Sequence, residues 1–299
     1  MSRFKFFEES RESDNRIEDN ILHYGVDFGM REYELVQEQQ TVANEQLILD
    51  TKTIMQWQHE HVGNGPSGHR INLNLAKHDV VKTNQLFAQL SGFAKLFNAP
   101  VARLELRLDK TGLVIEILNQ MEIYDIWNDI KAKELHPLIN AKTSESESIL
   151  TAGDKDFRHT LELVTNGTIY QLMFPSVYEK TIPGEEIIKQ KFYSSNIFNG
   201  KKIEFKGKRA FTEQNDDIVL LRENFMFVDA GKHYSDVKGI YDSQFKPVLN
   251  AEMNYDYSVE LTYRFFKHTG LLEYANCKIE ERLNEKFIFS SNYELILKK

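Results

Sequence analysis

The stretch RLELRLDKTGLVIEIL, residues 103–118, decides the fold class that the sequence predicts. Its first half alternates leucine with charged residues, which places Leu104, Leu106 and Leu108 on one face of a strand. Asp-Lys-Thr-Gly at 109–112 has the composition of a turn, and residues 114–118 form a returning apolar run. A hairpin with one apolar face must pack against another layer, so this stretch favours an antiparallel sheet covered by further elements.

Alternating or aromatic-rich segments recur through much of the chain. They predict strands over residues 46–62, 69–81, 187–198, 201–212, 217–229, 254–267, 271–282 and 286–297. The short turns between them favour antiparallel pairing over parallel strands with helical crossovers. The sequence therefore predicts an α+β fold with large antiparallel sheets and several helices packed on one face, with a curved sheet or open barrel as one alternative.

Helical periodicity is concentrated in the middle of the chain. Residues 84–97 carry Leu and Phe at three- and four-residue steps, and residues 119–135 carry a second apolar stripe that ends before Pro137. Both stretches predict helices, and packing across the sheet is their simplest role because the apolar face of the sheet needs a cover.

The predicted domain boundary lies at residues 140–156, NAKTSESESILTAGDKD. Their Ser, Glu and Lys content predicts a linker or mobile loop. An N-terminal β-rich half with two helices would then cover residues 1–139, and a C-terminal half with a helical start and antiparallel strands would cover residues 157–299. A single domain is the alternative.

Composition excludes some classes of function. The net charge of −8 argues against a protein that binds nucleic acid through a broad cationic surface. The basic run over residues 201–209 alternates with Ile203, Phe205 and Gly207, which is more typical of a solvated strand face than of a phosphate site. No run approaches the ~20 apolar residues of a membrane span. With Cys277 as the only cysteine and no signal-like apolar core at the N-terminus, we expect a cytoplasmic location.

The stretch HEHVGNGPSGHR, residues 59–70, matches the glycine spacing of a dinucleotide-binding loop at Gly63, Gly65 and Gly68. Such a loop must open a helix whose N-terminus faces the pyrophosphate. Here the residues after the glycines alternate with period two, which predicts a strand, and Pro66 removes a backbone N–H. The glycines are therefore better explained as the turn of a long hairpin.

Histidines in this hairpin are the candidate site. Face counting places Trp57, His59 and His61 on one side of the first strand, and His69 on the same side of the second. His59, His61 and His69 have the arrangement of a metal site, with zinc or another divalent metal as the cofactor. The alternatives are the mouth of a ligand cavity lined by Trp57, His59, His61 and His69, or a solvated hairpin tip.

The sequence favours a non-catalytic binding, structural or accessory protein over an enzyme, since no cofactor motif or nucleophile signature occurs in it. Such a protein would use a sheet surface or cavity to bind a protein partner, a larger assembly or an apolar small molecule. The alternative is a metal-dependent enzyme with its metal at the three histidines, where a bound water becomes a nucleophile.

Overall fold

The computed structural model describes residues 20–25, 29–65, 68–83, 95–198, 200–213, 215, 217–228 and 232–298. Its strands are β1 (Ile21–Leu22), β2 (Met30–Ala43), β3 (Gln46–Gly65), β4 (Gly68–Lys82), β5 (Arg103–Leu108), β6 (Val114–Ile117), β7 (Lys180–Thr181), β8 (Gly184–Ser194), β9 (Lys202–Glu213), β10 (Ile218–Phe227), β11 (Asp256–Phe266), β12 (Leu272–Asn284) and β13 (Phe287–Leu297). The predicted hairpin of residues 103–118 is present as β5 and β6, with Leu106 opposite Ile117.

Eleven of these strands form one antiparallel sheet in the order β6-β5-β4-β3-β2-β13-β12-β11-β10-β9-β8. Two runs of sequentially paired strands make it up, and they meet where β2 pairs with β13, with Leu35 opposite Leu295. The two halves of the chain therefore share one sheet. Within the described residues β6 and β8 are its outer strands and do not pair with each other, so the sheet is open.

One face of the sheet is buried, and β11 shows why. Its odd-numbered residues are buried while those between them are not, because successive side chains of a strand point to opposite faces. The same face carries buried side chains from β2 to β5 and from β9 to β13. The core lies on this face and needs a second layer to exclude water.

Helices supply that layer. They are α1 (Gln120–Lys133), α2 (His136–Ala141), α3 (Ser144–Arg158), α4 (Thr160–Asn166), α5 (Thr168–Met173), α6 (Lys232–Ile240) and α7 (Lys246–Leu249), with a π-helical turn at Tyr241–Phe245 between the last two. The Tyr170 ring packs edge-on against Trp57 of β3, and Phe245 packs edge-on against Phe287 of β13. No described helix is long and apolar enough to cross a membrane.

The structure differs from the sequence prediction at residues 140–156. Instead of a linker or loop, most of this stretch belongs to α3, which begins with a reciprocal cap: Ser146 N–H donates to Thr143 Oγ1, and Thr143 N–H donates to Ser146 Oγ. Phe157, near the end of α3, packs 4.9 Å from the ring of Trp127 in α1. This cap and this contact stabilise a helix whose polar composition is typical of loops.

The predicted helix over residues 119–135 is confirmed as α1. The one predicted over residues 84–97 lies mostly outside the described residues, although residues 95–98 are helical. The apolar stripe of α1 buries Ile123 and Trp127. Trp127 donates its indole N–H to Asp154 Oδ1 of α3 at 2.7 Å, so the two helices are joined by packing and by a hydrogen bond.

Candidate ligand-binding cavities

Two of the three predicted histidines, His61 and His69, contact each other on the buried side of the β3–β4 hairpin. The ring centroids of His61 and His69 are 5.6 Å apart, and Tyr24 stacks on His69 at 4.3 Å. His59 lies further from the hairpin end, with its ring 5.7 Å from Phe174. His69 Nδ1 lies 2.7 Å from Asn64 Oδ1 across the hairpin end. The strands continue to Gly65 and restart at Gly68, so the hairpin is longer than the sequence predicts.

Burial sets the protonation of these histidines. Burial, with His61 nearby, lowers the pKa of His59 to about 4. Burial also lowers the pKa values of His61 and His69. All three imidazoles are therefore neutral near pH 7, because desolvation disfavours the charged form.

Lowering the pH should destabilise the protein through His59. Below about pH 6.5 the unfolded chain protonates this imidazole while the folded protein keeps it neutral down to about pH 4. Stability is therefore lost as the pH falls through this window, by roughly 3 kcal/mol from His59. Urea unfolding at several pH values measures this loss of stability. In His59→Phe the free energy of unfolding should depend less on pH between about 4 and 6.5. If His59→Phe showed the same pH dependence of stability as wild type, His59 would not be its source.

Among the described residues, no group of three or more His, Cys, Asp or Glu side chains lies close enough together to hold a metal ion. The metal site at His59, His61 and His69 stays a prediction. The space beside His59 and His61, bounded by Tyr24, Tyr33 and Tyr178, measures about 30 Å³. This volume, bounded by described residues, holds about one or two water molecules and is too small for an organic ligand.

A larger space, here called the apolar cavity, lies between β3–β4 and the helices and measures about 210 Å³. The sheet contributes Trp57, Met55 and Leu75 to it. The helical side contributes the residues Phe97, Asn98, Val101, Asp156, Phe157, Leu163, Ile169 and Tyr170. Since a cavity of about 150 Å³ holds benzene, this one can take a ring or a short hydrocarbon chain.

Besides Asn98 and Asp156, Trp57 contributes a polar group to the lining of the apolar cavity. Its side chain is only 3% exposed, and its indole N–H has no hydrogen-bond partner among the described residues. Leaving a buried donor unpaired costs about 1–3 kcal/mol. A ligand with an oxygen acceptor beside Trp57 would recover part of that cost. Trp57 is the predicted ligand residue that lines this cavity, while His59 and His61 line the small space described above and His69 lines neither.

A further cavity of about 170 Å³, here called the Lys191 cavity, was missed by the sequence prediction. Lys191 of β8, Arg209 of β9 and Glu223 of β10 line it from the sheet. Arg209 Nε donates to the Glu223 carboxylate, and both side chains are nearly buried. Arg209 therefore points inward and is paired, unlike the solvated basic face that the sequence predicts for residues 201–209.

A wider groove of about 680 Å³, formed by described residues, carries polar and charged side chains, including alternate residues of β2, β3 and β11–β13. Its lysines are already paired in part: Lys52 Nζ lies 2.8 Å from Glu38 and Lys82 Nζ lies 2.5 Å from Asp50. This groove has mixed charge and no buried donor without a partner among the described residues. It offers less chemical selectivity than the two smaller cavities.

Comparisons with known proteins support the fold. No family model matches the chain, and no curated protein matches its sequence. Among solved structures, the chain is similar to one that concerns lipid–protein interactions in lipovitellin, with a TM-score of 0.50 and 10% sequence identity. The similarity covers 90% of this chain and 25% of that one. At this identity, the likeness shows a shared β-rich fold, and this chain spans about a quarter of the lipovitellin chain.

Proposed function

We propose that the protein is a non-catalytic binding protein for an apolar small molecule, and that the ligand occupies the apolar cavity. The observation that carries the proposal is the mostly apolar wall of this cavity, in which Trp57 has an indole N–H without a hydrogen-bond partner among the described residues and Asn98 and Asp156 supply further polar groups. Ligand sites are mostly apolar pockets with a few polar groups that orient the ligand, and this cavity has that composition. The likeness to lipovitellin, a protein whose solved structure concerns lipids, is consistent with it.

A curved sheet belongs to this proposal. Leu113 and Val114, at the β6 side of the sheet, line the Lys191 cavity together with Lys191 of β8, which is the opposite outer strand. Tyr178 N–H also donates to Thr111 O, just before β6. Two outer strands that approach one helical segment favour a sheet curled around its helices, which is the geometry of an open ligand-binding barrel.

The cytoplasmic location and a protein partner or assembly stay predictions from the sequence. No contact in the described residues favours the alternative of a metal-dependent enzyme over ligand binding.

Octanol is a suitable probe because its chain fits an apolar cavity and its hydroxyl oxygen accepts a hydrogen bond from an indole. In a Trp127→Phe background, Trp57 is the sole tryptophan, so its fluorescence reports the cavity directly. Octanol should change that fluorescence with a Kd of about 0.1–1 mM, which is reasonable for so small an apolar ligand.

Two variants on helix α4 make the test specific. Leu163→Phe adds a ring to the apolar cavity and should weaken octanol binding at least about tenfold. Leu161→Phe, on the same helix but exposed, should leave it unchanged. Equal binding by both variants, or no fluorescence response at all, would refute the proposed function.

A further inference from the structure

We propose that the Lys191 cavity binds the carboxylate of an amphipathic ligand, whose apolar tail lies against Val164 and Tyr170. The inference rests on the proposed function and names its ligand class as a monoanionic amphiphile. It is carried by the contacts of Lys191, by the pairing of the other charges in the cavity and by the position of Tyr170.

Lys191 holds its ammonium group against aromatic rings rather than a carboxylate. Its Nζ lies 4.9 Å from the ring centroid of Tyr193 and 4.6 Å from that of Phe225. Such cation–π contacts are weaker than a paired ion, and among the described residues no carboxylate lies within ion-pair distance of Lys191. Burial lowers the pKa of Lys191, and the charge of Glu223 opposes this shift only in part.

The other charged side chains of the cavity are paired with each other or with a surface residue. The Glu223 carboxylate accepts from Arg209 Nε, and Arg209 Nη1 also lies 3.6 Å from Glu186 at the surface. Burial raises the pKa of the neighbouring Cys277 thiol to about 12, so this group is neutral. Both carboxylates approach Arg209, and neither lies within ion-pair distance of Lys191 among the described residues. Lys191 is therefore the lining cation without a direct ion pair, and its ammonium is the group that a ligand carboxylate would contact.

A buried tyrosine lies next to Lys191. Tyr193 is two residues further along β8 and shares its face; its hydroxyl is buried with no hydrogen-bond partner among the described residues. Burial raises the pKa of Tyr193 far above neutrality, so the hydroxyl keeps its proton. Tyr193 does not line the Lys191 cavity, so it contacts Lys191 through its ring, and Lys191 is the donor available to a ligand carboxylate.

Tyr170 lies between the proposed carboxylate site at Lys191, here called the head site, and the apolar cavity. It lines both the Lys191 cavity and the apolar cavity, and the adjacent wall carries Val164 on one side and Leu163 on the other. A ligand with its carboxylate at Lys191 would therefore direct its tail toward Tyr170. Neither cavity alone has the volume of a typical ligand pocket of roughly 300–1,000 Å³, which favours a ligand that uses both.

Isothermal titration with octanoate, octanol and acetate separates the contributions of head and tail. Octanoate should bind about 10- to 100-fold more tightly than octanol, the range that a charge-assisted hydrogen bond supplies. Acetate should bind far more weakly than octanoate because it lacks a tail. In Lys191→Met the advantage of octanoate over octanol should disappear, while Lys191→Arg should keep it.

Lys189→Met is the matched control, since Lys189 lies on the same strand with an exposed side chain and its loss changes the net charge equally. Thermal unfolding establishes that each variant is folded. Octanol binding without preference for octanoate overturns the head site and leaves the proposed function standing. A preference that survives in Lys191→Met, or acetate binding as tight as octanoate, also overturns the inference. Failure of wild type to bind either octanoate or octanol overturns both.

Discussion

Replacing Trp127 by alanine should lower the free energy of unfolding by about 3–5 kcal/mol and weaken octanol binding at least tenfold. Trp127 is fully buried, and its ring lies 5.2 Å from Phe97 and 4.9 Å from Phe157. Gly153 approaches it so closely that a Cβ there would lie 2.4 Å from the indole. The substitution would remove the indole ring and leave a cavity between α1 and α3.

The loss of ligand binding follows from the same contacts. Phe97 and Phe157 are walls of the apolar cavity as well as neighbours of Trp127, so they would move into the vacated space. Trp127→Phe keeps a ring there and loses the hydrogen bond to Asp154, so it should cost only about 1–2 kcal/mol and retain octanol binding. Urea unfolding followed by circular dichroism measures the stability. A Trp127→Ala variant with normal octanol affinity would show that the helical layer does not shape the cavity.

The second large effect is expected at Glu281, which is fully buried in β12. Its carboxylate accepts from Ser195 Oγ at 2.5 Å, from Asn196 N at 2.7 Å and from Tyr255 Oη at 2.8 Å. It thus ties the turn between β8 and β9 to β12. In Glu281→Ala these buried donors lose their acceptor, which should cost roughly 3–5 kcal/mol.

Glu281→Gln is the comparison because it keeps one acceptor oxygen at nearly the same size. We expect it to lose less than half as much stability as Glu281→Ala, measured by urea unfolding. The apolar cavity lies far along the sheet order, at β3 and β4, so octanol should bind both folded variants normally. A loss below about 1 kcal/mol in Glu281→Ala would mean that water replaces the carboxylate.

The strands were predictable because alternation is a local property. The pattern in residues 103–118 and 254–297 shows both where strands lie and which face is buried. The pairing of β2 with β13 was not predictable, since alternation identifies a face but names no partner strand. Helix α3 was missed because polar residues dominate it and its buried side includes Ser146 and Gly153, which give little apolar signal in the sequence.

The candidate sites, too, were predictable only where a local sequence pattern determines them. Counting faces along β3 correctly placed Trp57 inward, since the alternation of residues 53–61 is regular enough to follow. Lys191 could not be found in this way. An irregularity in the pairing of β8 with β9, between Ile188 and Lys191, shifts the alternation, so Lys191 shares the inward face with Tyr193. Without knowledge of this irregularity, the sequence alternation places Lys191 on the solvent-facing side of the strand.

The central claim is that Trp57 meets an apolar ligand, and the indole N–H signals of the protein labelled with ¹⁵N test it most directly. The chain has two tryptophans, so two indole signals are expected, and Trp127→Phe assigns them. On addition of octanol, the Trp57 signal should shift as its N–H gains an acceptor. The Trp127 signal should stay in place because its N–H is already bonded to Asp154. A Trp57 signal that does not move at saturating octanol would contradict the account.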